Sequence, residues 1–215
     1  MIGVVIPVHN EERLLGACIE SVLAAAAHPG LGGEPVRVLA VLDACSDGSA
    51  AIAEAAGIAT LAIDARNVGQ ARAAGVHLLL DEGARWIACT DADSIAGTNW
   101  LVAQLALGAD VVCGTVRIAQ WDAIHLDAQA RYHAHYHQHD DHRHVHGANL
   151  GFSAEAYLRA GGFPPLAAHE DVHLVRAFER SGARISWSSS PAVHTSARLD
   201  ARAPEGFAAF LRGLL

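Results

Sequence analysis

A single α/β domain, with a mostly parallel central sheet and helices on both faces, is the fold this sequence predicts, and three observations predict it. Apolar residues make up 52% of the 215-residue chain against 18% charged, enough for one substantial core and too apolar for disorder. The first half repeats a strand, turn, helix rhythm, the pattern of a parallel sheet covered on its faces. Its polar clusters fall where strands end, which is where open α/β sheets bind ligands.

Residues 2–8 form an apolar strand run. A helix is expected over residues 12–27, where Leu14, Leu15, Cys18, Ile19, Val22 and Leu23 mark one apolar face, and the Gly-rich stretch 29–35 ends it. Residues 36–42 read as a second strand that runs into a polar turn, 43–49, and a short Ala-rich helix. A strand over 58–63, a helix over 68–80, a strand over 86–90, a helix over 100–107 and a strand over 110–116 continue the rhythm. The second half has another texture. Residues 120–146 are dense in His and aromatic residues, 147–152 resume an apolar pattern, and Gly161-Gly162 ends a short helix. A last helix is expected over 169–181, with Leu174, Val175 and Phe178 on one side. No repeat or long linker divides the chain, so one domain is expected over 1–215.

Composition narrows the function classes. The formal net charge is -8 and all 15 basic residues are Arg, which speaks against a protein that neutralises a nucleic-acid backbone. The four cysteines, Cys18, Cys45, Cys89 and Cys113, are widely spaced and form no CxxC pair, as expected of reduced, packed thiols. The N-terminus enters its first strand without a signal-peptide pattern, and no stretch approaches the roughly 20 apolar residues that span a bilayer. A cytoplasmic protein without a transmembrane segment is expected; peripheral membrane contact or oligomerisation would leave no mark in such a sequence.

The sharpest chemical feature is Thr90-Asp91-Ala92-Asp93-Ser94 at a strand end. In an extended backbone, side chains two apart lie on one side, so Asp91 and Asp93 can converge on one ion. Hard divalent cations prefer such oxygens, and Mg2+ or Mn2+ commonly completes its shell with diphosphate oxygens. The competing reading is a polar turn capping the next helix.

That feature does not stand alone. VVIPVHNEERLL (residues 4–15), LDACSDGS (42–49), NVGQARAAG (67–75), DADS (91–94) and HED (169–171), in this order and spacing, resemble the GT-A (Rossmann-like) glycosyltransferases of glycosyltransferase family 2. The resemblance runs from residue 2 to about residue 210. It implies a nucleotide-diphosphate sugar donor carrying uracil or guanine, a divalent metal, Mn2+ or Mg2+, and inversion at the anomeric carbon. Donor and metal would then sit on residues 1–116, acceptor and catalytic base on 117–215.

Position by position, the resemblance puts Pro7, Asn10 and Glu11 in the first nucleotide loop and Asp43 on the base. A carboxylate suits the imide N–H of uracil or guanine, while a helix N-cap is the other role open to Asp43. Asn67, Gly69 and Arg72 match the segment along the diphosphate, where Gly allows close approach and Arg supplies charge, unless they only start a helix and line a solvated face. Asp93 matches the metal carboxylate and Asp91 the one nearer ribose or donor sugar, with Ala92 between them. Asp171 matches the base that takes the acceptor proton, with Glu170 as an alternative, against a plain acidic pair at a helix start.

His194, in PAVHTSAR, is similar to an additional metal ligand of some relatives and would tilt the site toward Mn2+, although a lone His is commonly only structural. Arg198 and Arg202 would close over the diphosphate or stay solvated. Gly147 and Asn149 resemble the stretch bordering donor sugar and acceptor. His133, His135, His137, His139, His142, His144 and His146 invite a zinc or nickel reading, but i, i+2 spacing scatters ligands around a helix and no Cys joins them, so acceptor contact or plain packing competes. Two departures from the family pattern bear on donor and acceptor contacts: Leu42-Asp43 replaces an acidic pair, and His173 stands where an acid is frequent.

Three other classes were weighed on the residues. A sugar-phosphate nucleotidyltransferase would carry a Gly-rich loop with Arg and Lys where PVHNEE stands, and a dinucleotide oxidoreductase would carry GxGxxG there. A noncatalytic nucleotide- or metal-binding module shares the donor residues and differs in lacking turnover.

Overall fold

The structure is a computed structural model that describes residues 1–118, Gln129 and residues 139–196. Arg198, Arg202, His133, His135 and His137 lie outside the described residues. The described strands are β1 (Ile2–Val8), β2 (Val36–Asp43), β3 (Ala59–Ile63), β4 (Trp86–Cys89), β5 (Ser94–Ala96), β6 (Val111–Ile118), β7 (Leu150–Ser153) and β8 (Ile185–Thr195). The helices are α1 (Leu15–Ala26), α2 (Ser49–Ala55), α3 (Val68–Asp81), α4 (Trp100–Ala106), α5 (Ala154–Ala160) and α6 (Glu170–Arg180).

One sheet holds the strands in the order β3-β2-β1-β4-β7-β6-β8-β5. The half β3-β2-β1-β4 is all parallel. Strand β7 then enters antiparallel between β4 and β6, β8 runs parallel to β6, and β5 closes the edge antiparallel to β8.

The sheet is covered on both faces because its strands are apolar on both. In β1, Ile2, Val4, Ile6 and Val8 join Leu15, Cys18, Ile19 and Val22 of α1 and Trp100 and Leu101 of α4 in one cluster. Val5, on the alternate face, joins Leu39 and Val41 of β2, Val76 and Leu79 of α3, and Leu174, Val175 and Phe178 of α6 in a second. Burial of each such side chain contributes ~1.5–3 kcal/mol. The side of α6 expected to be apolar is therefore its buried side.

Three features differ from the sequence reading or extend it. Helix α1 begins at Leu15 rather than near residue 12, because Glu12 is tied to the 47–48 turn: its N–H donates to Asp47 Oδ2 at 2.9 Å and its Oε2 accepts from Gly48 N–H at 2.8 Å. The three-residue β5 begins at Ser94 of DADS, where no strand was expected. His194 lies in an 11-residue β8, for which the sequence pattern sets no bounds, with a register shift opposite Gly114/Thr115, a break the run Ser188-Ser189-Ser190-Pro191 conceals from periodicity. The four cysteines are free thiols. Among the described residues, no helix is long and apolar enough to cross a membrane.

Candidate active site

The family-matched residues collect at one end of the sheet, where parallel strands β1, β2 and β4 finish and β7 begins. Hydrogen bonds lace the first two loops together. Asn10 Oδ1 accepts from Ser46 N–H at 2.7 Å, Ser49 Oγ accepts from Glu11 N–H at 2.9 Å, and the Cys45 thiol donates to Val8 O at 3.3 Å. Asn10 takes a left-handed backbone, φ 54°, to make its turn, Glu11 is buried, and Pro7 is half-buried near the end of β1.

Asp43 holds the next loop. Its Oδ1 accepts from the N–H groups of Ala65 and Arg66 at 2.7 and 2.8 Å, and its Oδ2 from Asn67 N–H at 2.7 Å. A carboxylate has about four acceptor positions, so about one remains for a ligand. Asn67 Oδ1 then caps α3 by accepting from Gln70 N–H at 2.9 Å, and its amide donates to Pro165 O at 3.2 Å. Gly69 donates its N–H to Leu166 O, and a Cβ there would stand 2.4 Å from Pro164 O. Residues 164–166 thus lie against the start of α3, and only glycine admits them so close.

Arg72 occupies the middle of the site. Its side chain is 4% exposed, one guanidinium nitrogen donates to Asp91 Oδ1 at 2.5 Å, and the other donates to Glu170, itself 4% exposed at the side chain. The resemblance lays this arginine along the diphosphate; both of its Nη atoms instead hold carboxylates, one from the β4 end and one from the start of α6. Burial works to lower its pKa, but attraction from Asp91 and Asp171 more than offsets this and holds it above the ordinary value. Gly147 makes room for the guanidinium, since a Cβ there would lie 2.4 Å from it. The Gly147 N–H donates to Asp171 Oδ2 at 2.7 Å, and Val172 N–H to Oδ1 at 2.7 Å. Helix α6 starts from His169 in a left-handed backbone, φ 60°, which turns Glu170 inward toward Arg72 and Asp171 toward Gly147.

The tip of β4 is not extended as the spacing argument supposed. Ser94 N–H donates to Asp91 O at 3.0 Å, closing a turn. The two aspartates therefore meet different neighbours: Asp91 meets Arg72, while Asp93 Oδ1 accepts from Thr195 Oγ1 at 3.3 Å and its Oδ2 from Ser196 Oγ at 3.0 Å. Thr195 and Ser196 are the residues sequence reading missed, because nothing in PAVHTSAR announces that β8 ends beside the turn.

The structure places four further expected positions as follows. His194 pairs with Ile95 on the face opposite Thr195, and is exposed, so the alternation of β8 turns it away from Asp93. Asn149 is fully buried: its Oδ1 accepts from Trp100 Nε1, and its amide donates to Thr115 O and Pro191 O, leaving it a staple between α4, β6 and the β8 bulge rather than a donor contact. Ala92 is 4% exposed and packs in the α1-side cluster, so its side chain has no access to a ligand. The described end of the His-rich stretch is not helical: His142, His144 and His146 stack along one side with centroids 5.6 and 6.2 Å apart, as period-two side chains of an extended segment do. Burial and the neighbouring His144 and His142 push the His146 imidazole down to about 3, Asp91 pulling the other way.

A divalent cation is what the family resemblance implies, and the donor set fits one. Asp91 is 38% exposed at its side chain with Oδ1 alone on Arg72, and both aspartates offer the hard oxygens that Mg2+ and Mn2+ take. Among the described residues no three His, Cys, Asp or Glu are arranged to hold a metal. One or two carboxylates with the remaining ligands from phosphate and water is the usual way such ions sit in phosphate-handling sites.

Three solved structures resemble the chain. The chain is similar to S. aureus TarS, with TM-score 0.69 at 16% identity over 91% of this chain and 36% of that one. It is similar to the mannosyltransferase PcManGT from Pyrobaculum calidifontis, solved with GDP-Man and Mn2+, with TM-score 0.65 at 17% identity over 97% of this chain and 59% of that one. A third likeness is to glucosyl-3-phosphoglycerate synthase from Mycobacterium tuberculosis, solved with Mn2+, UDP and glucosyl-3-phosphoglycerate: TM-score 0.63 at 18% identity over 92% of this chain and 72% of that one. The chain thus spans 36% of TarS and 59% of PcManGT. No curated protein matches it. At such identities the likenesses carry the fold, and the sequence itself carries the family: the model of glycosyl transferase family 2 matches residues 3–157. With that match over most of its length, the chain belongs to glycosyl transferase family 2, and its fold is the GT-A fold.

Proposed function

We propose that the protein transfers a sugar from UDP or GDP to an acceptor hydroxyl, with inversion at the anomeric carbon and with Mn2+ or Mg2+ bound. The observation that supports this best is the single Arg72 guanidinium that joins Asp91, at the DADS turn, to Glu170, beside Asp171. It keeps the donor-side and acceptor-side carboxylates within one side chain's span, as direct displacement requires.

Asp91 and Asp93 would hold the metal, which when bound offsets the charge that develops on the departing nucleoside diphosphate. Asp43 and the loop it orders, with Pro7, Asn10 and Glu11, would form the wall for base and ribose. Asn67 and Gly69 stand at the N-terminus of α3, where the Asn67, Gly69 and Gln70 N–H groups already have acceptors, so this end of α3 would bound the diphosphate rather than bind it through those N–H groups. Asp171 is the base: Gly147 and Val172 fix its carboxylate, and it takes the acceptor proton as attack proceeds, so that no free alkoxide forms. Glu170 is unsuited to that task because it is buried against Arg72. PcManGT and glucosyl-3-phosphoglycerate synthase, solved with GDP-Man or UDP and with Mn2+, support the donor class and the metal.

The test is a donor-hydrolysis and calorimetry screen of UDP- and GDP-sugars with and without Mn2+, on the wild type and Asp171→Asn. Turnover that disappears in Asp171→Asn while nucleotide binding persists is the expected result. Absence of both turnover and nucleotide binding in the wild type would remove the enzyme reading.

A further inference from the structure

Beside the proposed base lies a groove of about 190 Å³ lined by Arg143, Val145, Val172, Val175, Arg176, Glu179 and Trp187. Val172, Val175, Arg176 and Glu179 fall at i, i+3, i+4 and i+7, one stripe of α6, which opens next to Asp171. Trp187 of β8 forms the opposite wall, and Arg143 lies over its ring at 5.1 Å.

We propose that this groove binds the anionic end of the acceptor, a phosphate or carboxylate carried by a small hydroxyl compound. The inference rests on the glycosyl-transfer reading and gives its acceptor a chemical class. Arg143 and Arg176 have no ion pair among the described residues, although the chain has a net charge of -8. Two exposed guanidiniums facing one groove in an acidic protein supply the bidentate donors that an oxyanion takes. Arg143 lies over the Trp187 ring, so that ring is not a free platform for a sugar, while the exposed guanidinium keeps N–H donors for an anion. The volume is below the roughly 300–1,000 Å³ of pockets for drug-sized ligands, so it takes one end of a molecule. Arg176 lies five residues beyond Asp171, roughly 7–8 Å along the helix axis at 1.5 Å per residue. Five residues also turn the helix by about 140°, so the link between base and groove is Val172, which follows Asp171 directly and lines the groove. The carboxylates of Asp91, Asp93, Glu170 and Asp171 would repel such an acceptor without this counter-charge.

The experiment is calorimetry with glycerol 3-phosphate and with glycerol, each with and without UDP and Mn2+, on the wild type, R143A, R176A and E179Q. Both arginines are exposed, so neither change threatens the fold, and thermal melts check this. Glycerol 3-phosphate is expected to bind where glycerol does not, at least tenfold more weakly to R143A and to R176A, and severalfold more tightly to E179Q. No binding to the wild type, or a loss under tenfold in either arginine variant, overturns the groove. UDP and GDP binding to the wild type is read separately. If nucleotides fail while glycerol 3-phosphate still discriminates among the variants, glycosyl transfer falls and the anion site stands.

Discussion

Replacing Arg72 by Met keeps most of its volume and removes its charge, leaving Glu170 with a side chain 4% exposed and no cation beside it. Deleting one partner of a buried ion pair costs ~3–5 kcal/mol, chiefly because the surviving charge stays desolvated. Asp91, 38% exposed, can be hydrated instead and adds little. With a urea slope of ~2 kcal/mol per molar, the midpoint should fall by roughly 1.5–2.5 M. Replacing both partners, R72M with E170M, removes the stranded charge and should recover about half of the loss or more, because apolar replacement of a buried pair is near neutral. Gly147→Ala gives an independent check. Its Cβ would collide with the guanidinium at 2.4 Å, so its cost should shrink in the R72M background, where the obstructing group is gone. Urea unfolding followed by circular dichroism measures all of these. A loss under about 1 kcal/mol for R72M, or strictly additive costs for R72M and Gly147→Ala, refutes the strut.

Asn149→Leu leaves the Trp100 N–H and two carbonyls without partners inside the core and should cost about 3 kcal/mol by urea unfolding; nucleotide affinity should hold, and a marked loss of it in folded protein would return Asn149 to the donor site. Asp43→Ala removes the acceptors for three backbone N–H groups, so amide exchange at residues 65–67 should accelerate at least tenfold; protection equal to wild type would deny the clamp. Acid sensitivity is expected through His146. Its folded value near 3 lies below the unfolded value near 6.5, so between these pH values the unfolded chain takes a proton that the folded chain does not, and stability falls as pH falls, by at most ~1.4 kcal/mol per unit. His146→Asn should flatten this limb of the urea midpoint against pH, and an unchanged slope would refute the assignment.

The parallel half of the fold was legible because β1, β2 and β4 are continuous apolar runs with polar punctuation at their ends, and the motifs placed Asp91, Asp171 and Arg72 at one end of the sheet. What the sequence concealed is which groups touch. Spacing two apart in DADS suggested convergence, but the turn at Ser94 sends Asp93 to β8, whose true length the serine run hides. Asn149 and Arg72 matched positions beside a ligand, yet both are buried, one among carbonyls and one among carboxylates, and polarity alone does not distinguish a wet cleft from a satisfied interior.

The insertion of β7 between β4 and β6 bears on how the polypeptide is made. While a nascent chain emerges from the ribosome, β4 has β1 on one side and a bare row of backbone N–H and C=O groups on the other until Ser153 has been synthesised. The motifs up to DADS are complete long before then, so a ribosome stalled after Ile118 would present a sheet with that open edge, an invitation to pair with another chain. Asp171, the proposed base, and the strand that seals the sheet reach the solvent in the same late stretch of synthesis, which would couple completion of the proposed site to loss of that hazard.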